Sequence, residues 1–236
     1  ALAPTVVLDT VGPFQARNYS VAPAWIEAGA HCLDLADGRD FVAGITTLHE
    51  AARARGVLVS CGVSTCPPVS TAVADEITRD LESVESLELG IAPGQKAPRG
   101  LATTRAVLSY CGKPIPSFVN ARAGTRRGWS DIVRHVYPEP VGSRWLAQVD
   151  LPEIVLWPRR YAGLRSVSTR ASLESLVLHF GLALLSQLVR AGLIRSLEPW
   201  SRGMLRAAKL FEPFGHDVGG MHITAIGRTA DSRTVR

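Results

Sequence analysis

Two carboxylates close together, Asp34 and Asp37, end the run Ala30-His-Cys-Leu-Asp-Leu-Ala-Asp-Gly38, which reads as a strand followed by a turn. A carboxylate at a strand end can orient an amine or relay a proton. Asp34 admits that role and a structural one equally. Asp37 precedes Gly38, a dipeptide that more simply makes an Asx-type turn. Upstream, Gly12-Pro13-Phe14 breaks the chain after a β-branched run, Thr5–Asp9. There Gly12 lets the backbone come close to a bound group and Pro13 stiffens the turn; a plain tight turn is the simpler alternative. In the loop Cys61-Gly-Val-Ser-Thr-Cys66, Ser64 and Thr65 suit helix capping better than ligand binding. Cys66 as a proton donor lacks any sign of a lowered pKa. The six histidines (31, 49, 135, 179, 216 and 222) show no metal-ligand spacing, so no metal site is expected. His179, in an apolar stretch, reads as a buried imidazole. His216-Asp217 before Gly219-Gly220 reads as well as a turn as it does as a site.

The elements that must position these residues follow from periodicity. Thr5–Asp9 is apolar on both faces, as in a buried parallel strand. Ser20 is a candidate N-cap, Pro23 falls in the first helical turn, and Gly29 sits where a left-handed C′ residue belongs. Ala30–Leu35 is the second strand. Asp40 is placed to cap a helix with Phe41, Ile45, Leu48 and Ala52 on its core face, stopped by Gly56. Val57–Ser60 is the third strand. Pro67-Pro68 opens a helix with Val69, Val73 and Ile77 on one face. Three strands alternating with three helices make half of a doubly wound α/β fold, whose ligands bind at the carboxyl ends of the strands.

Near Leu81 the rhythm changes. Val84–Ala92 reads as a strand and Leu101–Cys111 as a helix. Ser117–Arg122 and Thr125–Trp129 read as strands about an Ala123-Gly124 turn, as in an antiparallel sheet with helices on one side. The fold expected is therefore α/β: a partial Rossmann-type doubly wound parallel sheet over residues 1–80, then an α+β domain with a mainly antiparallel sheet over 81–236. Ser172 is expected to cap a helix reaching Gly192 that carries no charge between Glu174 and Arg190. Its uncharged part, Ser175–Val189, would rise only about 22 Å, short of a ~30 Å hydrocarbon layer. It is expected in the core or against a second copy, giving a homodimer. Membrane contact, helped by the basic stretch Arg190–Lys209, is the alternative.

The 236 residues, 46% hydrophobic, suffice for one or two cored domains. The net charge of +5 is uneven: residues 1–80 hold 5 basic against 9 acidic groups, and residues 81–236 hold 21 against 12. No nucleic-acid motif accompanies the basic part, so nucleic acid is not an expected partner. The four cysteines lack C-x-x-C spacing and read as reduced thiols of a cytoplasmic protein. No leader-like segment opens the sequence at Ala1.

The runs VLDTVGPFQ…Y…VA…GAHCLDLADGRDF, GIAPGQKAPRGLATTRAVLSYCGKPI and FGHDVGGM together resemble the saccharopine dehydrogenase-like (saccharopine reductase) oxidoreductases, over nearly the whole chain. The resemblance implies a Rossmann domain with an inserted α+β domain. It also implies NADP or NAD as cofactor and hydride transfer to or from a carbonyl, imine or secondary amine of a small-molecule substrate. A non-catalytic or membrane-associated relative using the fold as scaffold is the competing class. The resemblance further implies that Thr10, Val11, Gly12, Pro13 and Phe14, with the loop holding Asp34 and Asp37, border the nicotinamide. Arg99, Gly100 and Thr103 match the family's R-G-x-x-T run and reach either the substrate or the domain interface; no catalytic residue is singled out.

In this family a G-x-G-x-x-G turn follows the first strand, and this sequence contains none. The expectation is an internal fragment of a longer enzyme, with cofactor binding impaired. Titration calorimetry of NADPH and NADH should therefore show affinity more than about tenfold weaker than in an N-terminally extended form. Equal affinities would refute that expectation.

Overall fold

The computed structural model describes residues 3–235 apart from Ala16 and Ser232. The chain begins with β1 (Val6–Asp9), α1 (Val21–Glu27), β2 (His31–Asp34), α2 (Arg39–Gly44), α3 (His49–Ala54) and β3 (Val59–Ser60). The strands form a parallel sheet in the order β1-β2-β3, with Val6 opposite His31 and Cys32 opposite Val59. Gly29 takes φ +74° just past α1 and Gly56 φ +65° past α3, as the stop signals require. After α4 (Ser70–Ile77) come β4 (Ser83–Ala92), α5 (Leu101–Tyr110), β5 (Pro114–Val119), β6 (Arg122–Arg127), β7 (Val133–Val136) and β8 (Ser143–Gln148). The rest is α6 (Glu153–Arg160), β9 (Ser166–Ala171), α7 (Leu176–Arg190), α8 (Ser201–Lys209), β10 (Gly220–Arg228) and β11 (Thr234–Val235).

These later strands make one mainly antiparallel sheet, β11-β10-β4-β9-β5-β6, with β8 joining β9 and β7 pairing β8. Only β4 and β9 run parallel among its named pairs. β4 shows the two-residue alternation that decides its faces. Leu87 and Leu89 are buried beneath Ile154 and Trp157 of α6, whereas Glu88 meets His222 on the other face. A second cluster, including Leu108, Trp129, Leu182 and Val189, joins α5 to α7. The α/β reading with a parallel and a mainly antiparallel sheet holds.

Several local expectations do not hold. β1 is not buried: Val6 and Leu8 are 52% and 54% exposed, because β2 is the strand's only partner among the described residues. Ser20 stands at the N-cap of α1 but its side chain makes no capping bond, and Ser64 and Thr65 cap nothing either. Gly38, not Asp40, precedes α2, and a 3₁₀ turn at Ile45–Leu48 divides the helix predicted after it.

In α4 the face is the reverse of the one predicted. Val69, Val73 and Ile77 are exposed, while Ser70, Ala74 and Thr78 are buried. Small residues let the helix approach the large sheet closely, and their hydroxyls are satisfied within it. Ser70 Oγ meets Pro67 O and the Glu153 carboxylate, and Thr78 Oγ1 donates to Ala74 O. The β5–β6 hairpin turns at Asn120-Ala121, both at positive φ, which leaves Ala123 and Gly124 inside β6. Ser175 rather than Ser172 caps α7, accepting from Leu178 N. α7 buries His179, Leu182, Ser186 and Val189 and leaves Leu176, Val177, Phe180 and Leu184 exposed. No described helix is long and apolar enough to cross a membrane. Thr234 and Val235 pair as β11 with Arg228 and Gly227 at the end of β10.

Glu153 is fully buried between α4 and α6, where Ser70 Oγ donates to it at 2.5 Å. Burial raises its pKa above the ordinary carboxylate value, which the Ser70 bond only partly offsets. The folded pKa thus exceeds the unfolded one, so the stability it contributes is full in acid and is lost as pH rises through the folded value. Glu153→Gln should therefore raise the unfolding free energy at neutral pH, by about 1.4 kcal/mol per unit of elevation, with no gain in acid. Parallel denaturation curves at both pH values check this; a gain of equal size in acid would refute it.

Candidate active site

Two loops at the carboxyl ends of β1 and β2 carry the first half of the site. They are locked by a backbone contact. A Cβ on Gly38 would lie 3.0 Å from the carbonyl carbon and oxygen of Phe14 and 3.1 Å from Gln15 N. Gly38 has φ −71°, so close approach and not backbone conformation demands glycine. Phe14 is 4% exposed and packs on Phe41, Ala36 and Val42, which fixes the base of the first loop. Gln15 then reaches across, its Nε2 donating to Asp37 Oδ1 at 2.9 Å.

Asp34 and Asp37 have diverged. Asp34 is buried, and its Oδ1 accepts from Ala36 N at 3.0 Å and Gly62 N at 2.7 Å. Its carbonyl also accepts from Val63 N, so it pins the β3 loop to the end of β2. Asp37 accepts only the Gln15 amide among the described side chains, and burial raises its carboxyl above the ordinary range despite that bond. Sequence reasoning favoured the turn role for Asp37. In the structure Asp37 lines a cavity, and the loop-binding role falls to Asp34.

The cavity, about 340 Å³, lies between these loops, α5, the loop after β8, and α7 and α8. Asp150 enters from the β8 end and is held by Arg39, with Nε–Oδ1 at 2.7 Å and Nη2–Oδ2 at 3.4 Å. Burial raises the Asp150 pKa, and the Arg39 cation opposes the rise. Tyr110 closes α5 on the cavity wall; burial first, then the charges of Cys111, Asp150 and Asp37, hold its phenol well above its ordinary pKa. Gln15 Oε1 is buried without a hydrogen-bond partner among the described residues. Such an orphaned acceptor is costly unless a ligand donor meets it.

Of the residues singled out in the sequence, the cavity gathers Asp37, Arg99 and Thr103. Arg99 donates to the carbonyls of Gly94 and Gln95, and burial pulls its pKa below the usual guanidinium value. Gly100 precedes α5 as its N-cap, off the cavity wall. Thr10 and Val11 are exposed, Gly12 and Pro13 half-buried, and none of the four lines the cavity. A Cβ on Gly12 would meet Ala102 at 3.3 Å, so α5 is what approaches that glycine. Gln15, Tyr110 and Asp150 were missed. Gln15 directly follows Gly12-Pro13-Phe14, while Tyr110 and Asp150 carry no local signal.

The cysteine thiols are free. Burial raises the Cys66 thiol pKa, and the nearby Glu153 charge adds to it, which argues against Cys66 as a proton donor at neutral pH. Burial lowers His179 to about 4, so its imidazole is neutral; its Nδ1 accepts from Leu173 N. His216 Nδ1 meets Glu174 Oε1 at 2.7 Å, a loop tie away from the cavity wall. No group of three or more metal-ligating side chains occurs among the described residues.

No family model matches the sequence, and no curated protein matches it. Among solved structures, the chain is similar to an apo histidine-tagged saccharopine dehydrogenase (L-Glu forming) from Saccharomyces cerevisiae. Identity is 11% over 71% of this chain and 40% of that one, with a TM-score of 0.46. It is also similar to GenD2 from gentamicin A biosynthesis in complex with NAD, at 14% identity over 70% and 47% and a TM-score of 0.29. The chain spans less than half the length of either, and the likeness is one of fold alone.

Gly38→Ala should cost about 1–3 kcal/mol, because the new methyl must push backbone rather than a side chain. Gly12→Ala, facing only a methyl at 3.3 Å, should cost less. Denaturant titration of both variants checks the order; equal losses would refute the backbone lock.

Proposed function

We propose that this chain carries the reacting end of an NAD(P)-dependent oxidoreductase that moves a hydride to or from a carbonyl, imine or secondary amine. The observation that carries the reading is Asp37: a half-buried carboxyl with a raised pKa, on a cavity wall at the carboxyl end of parallel strands. Perturbed carboxyls in clefts are where proton transfer is run near neutrality. The resemblance in sequence, with loops 10–15 and 34–38 beside the nicotinamide, agrees with it.

The residues fit the nicotinamide half of such a cofactor. Gln15 Oε1 is an unmet acceptor that suits an amide N–H, and the loops around it are rigidly packed. When bound, the nicotinamide supplies or accepts the hydride. The chain supplies the rest. Gln15 Nε2 occupies Asp37 Oδ1, leaving Oδ2 as the proton-bearing atom for a substrate oxygen or nitrogen. Tyr110, held protonated, donates a hydrogen bond and fixes orientation. Asp150, neutralised by Arg39, keeps the seam closed without adding a free negative charge. The apolar walls exclude water, which strengthens each of these contacts.

The sign of the pH dependence follows. Reduction needs Asp37 protonated, and its raised pKa carries that form above the usual carboxylate range. Turnover in the reducing direction should fall as pH rises through the Asp37 value. Asp37→Asn should lower it by about 10²–10⁴-fold and remove that limb. Consumption of reduced nicotinamide followed across pH checks this. An unchanged pH profile in the variant would refute the role given to Asp37.

A further inference from the structure

The cavity has two polar poles and a hydrocarbon middle. At one pole stand Asp37, Asp150 and Tyr110, whose phenol feels both carboxylates. At the other is Arg99, whose neighbouring charges are Glu212 and Glu174 rather than those aspartates. Arg99 makes two bonds to backbone carbonyls and no ion pair among the described residues. Between them the wall is Ile91, Leu108, Leu151, Leu173, Leu182 and Met204.

α8 has the build of a roof. Its Met204, Leu205 and Ala208 line the cavity, while Arg202, Arg206 and Lys209 are exposed. A small, multiply charged substrate would leave charge against hydrocarbon without partners. An apolar chain would match the hydrocarbon wall and release the water in contact with it. At ~30 Å³ per water, the cavity's ≈ 340 Å³ amounts to roughly eleven water volumes, enough for a chain of about ten heavy atoms.

We infer that the substrate class is a medium-length apolar chain ending in a carboxylate. The carboxylate sits on Arg99, the chain lies along the α5–α7–α8 wall, and the redox-active group is at the Asp37 pole. The last placement rests on the oxidoreductase reading; the chain and its anionic end do not. The lining sets the polarity, since the Asp37 pole already holds two carboxyl groups and Arg99 is the cation on the cavity wall.

Calorimetry on the whole chain, without nicotinamide and below micellar concentrations, tests this with straight-chain alkanoates, alkanols and alkylamines of increasing length. Affinity for alkanoates should rise about fourfold per methylene and level off near roughly ten carbons, as the cavity fills. Alkanoates should bind at least about tenfold tighter than alkanols of equal length, and Arg99→Met should remove that preference. Leu178→Trp, growing into the cavity from a half-buried position on α7, should shorten the length at which affinity levels off. Affinity indifferent to chain length, or alkylamines bound as well as alkanoates, would overturn the inference using the unmutated chain alone. Because no nicotinamide is present, failure here is separate from failure of hydride transfer, which the Asp37→Asn kinetics read.

Discussion

The Arg39–Asp150 pair is the contact on which the site's architecture depends. Arg39 opens α2, one residue after the glycine that locks the first two loops, and Asp150 ends the β8 connection to α6. Their 2.7 Å bond therefore spans the small parallel sheet and the large mixed one at the edge of the cavity. Both side chains are largely buried, so removing Arg39 leaves Asp150 an uncompensated charge, whereas Arg39 without Asp150 keeps only the exposed Asp40 carboxylate. Further polar ties lie along the same seam: Ser70 to Glu153, Thr71 to Trp157 Nε1, and Asp75 to Arg160 and Tyr161. The exposed Asp75–Arg160 pair adds little by comparison, since water screens it. What holds the two sheets together is thus a few desolvated polar contacts plus the core shared by α4, α6 and β4.

That arrangement explains what was legible in the sequence. Local signals with a single physical reading came through: Gly29 and Gly56 as left-handed stops, β4 as a long alternating strand, α5 between its glycine and Cys111. Signals that depend on what packs opposite did not. In α4 the three large aliphatics define a clear face, yet the buried face is Ser70, Ala74 and Thr78, because the partner surface lies too close for valines. Nothing in residues 65–80 announces that proximity. The β5–β6 turn failed for a similar reason. Ala123-Gly124 has the better turn composition, but the register with Phe118 and Ser117 places both within the ladder and forces positive φ on Asn120 and Ala121.

Two of the loops beside the cavity were legible in the sequence. Loops 12–15 and 34–38 stand out by composition, and the structure does bring them together, backbone to backbone. Their internal assignment was not readable, since it turns on which carboxylate meets free N–H groups. Tyr110 and Asp150 come from beyond the small parallel sheet and are ordinary in their local contexts. Only the tertiary fold sets them on the same cavity wall as Asp37.

Asp34 and Asp37 show how three residues of separation can divide one side-chain chemistry into two. Asp34 Oδ1 takes two backbone N–H bonds, so its charge is spent on geometry and its place is inside the loop. Asp37 lies one turn further on, past the Ala36 backbone that Asp34 has fixed. It is left with the Gln15 amide and its own backbone N–H as donors, on an apolar cavity wall. Burial penalises its anion, and these neutral hydrogen bonds do not restore the balance. Asp34 must therefore be satisfied for its loop to hold Asp37 against the cavity, and the loop that Asp34 closes is the structural condition for the proton that Asp37 can carry.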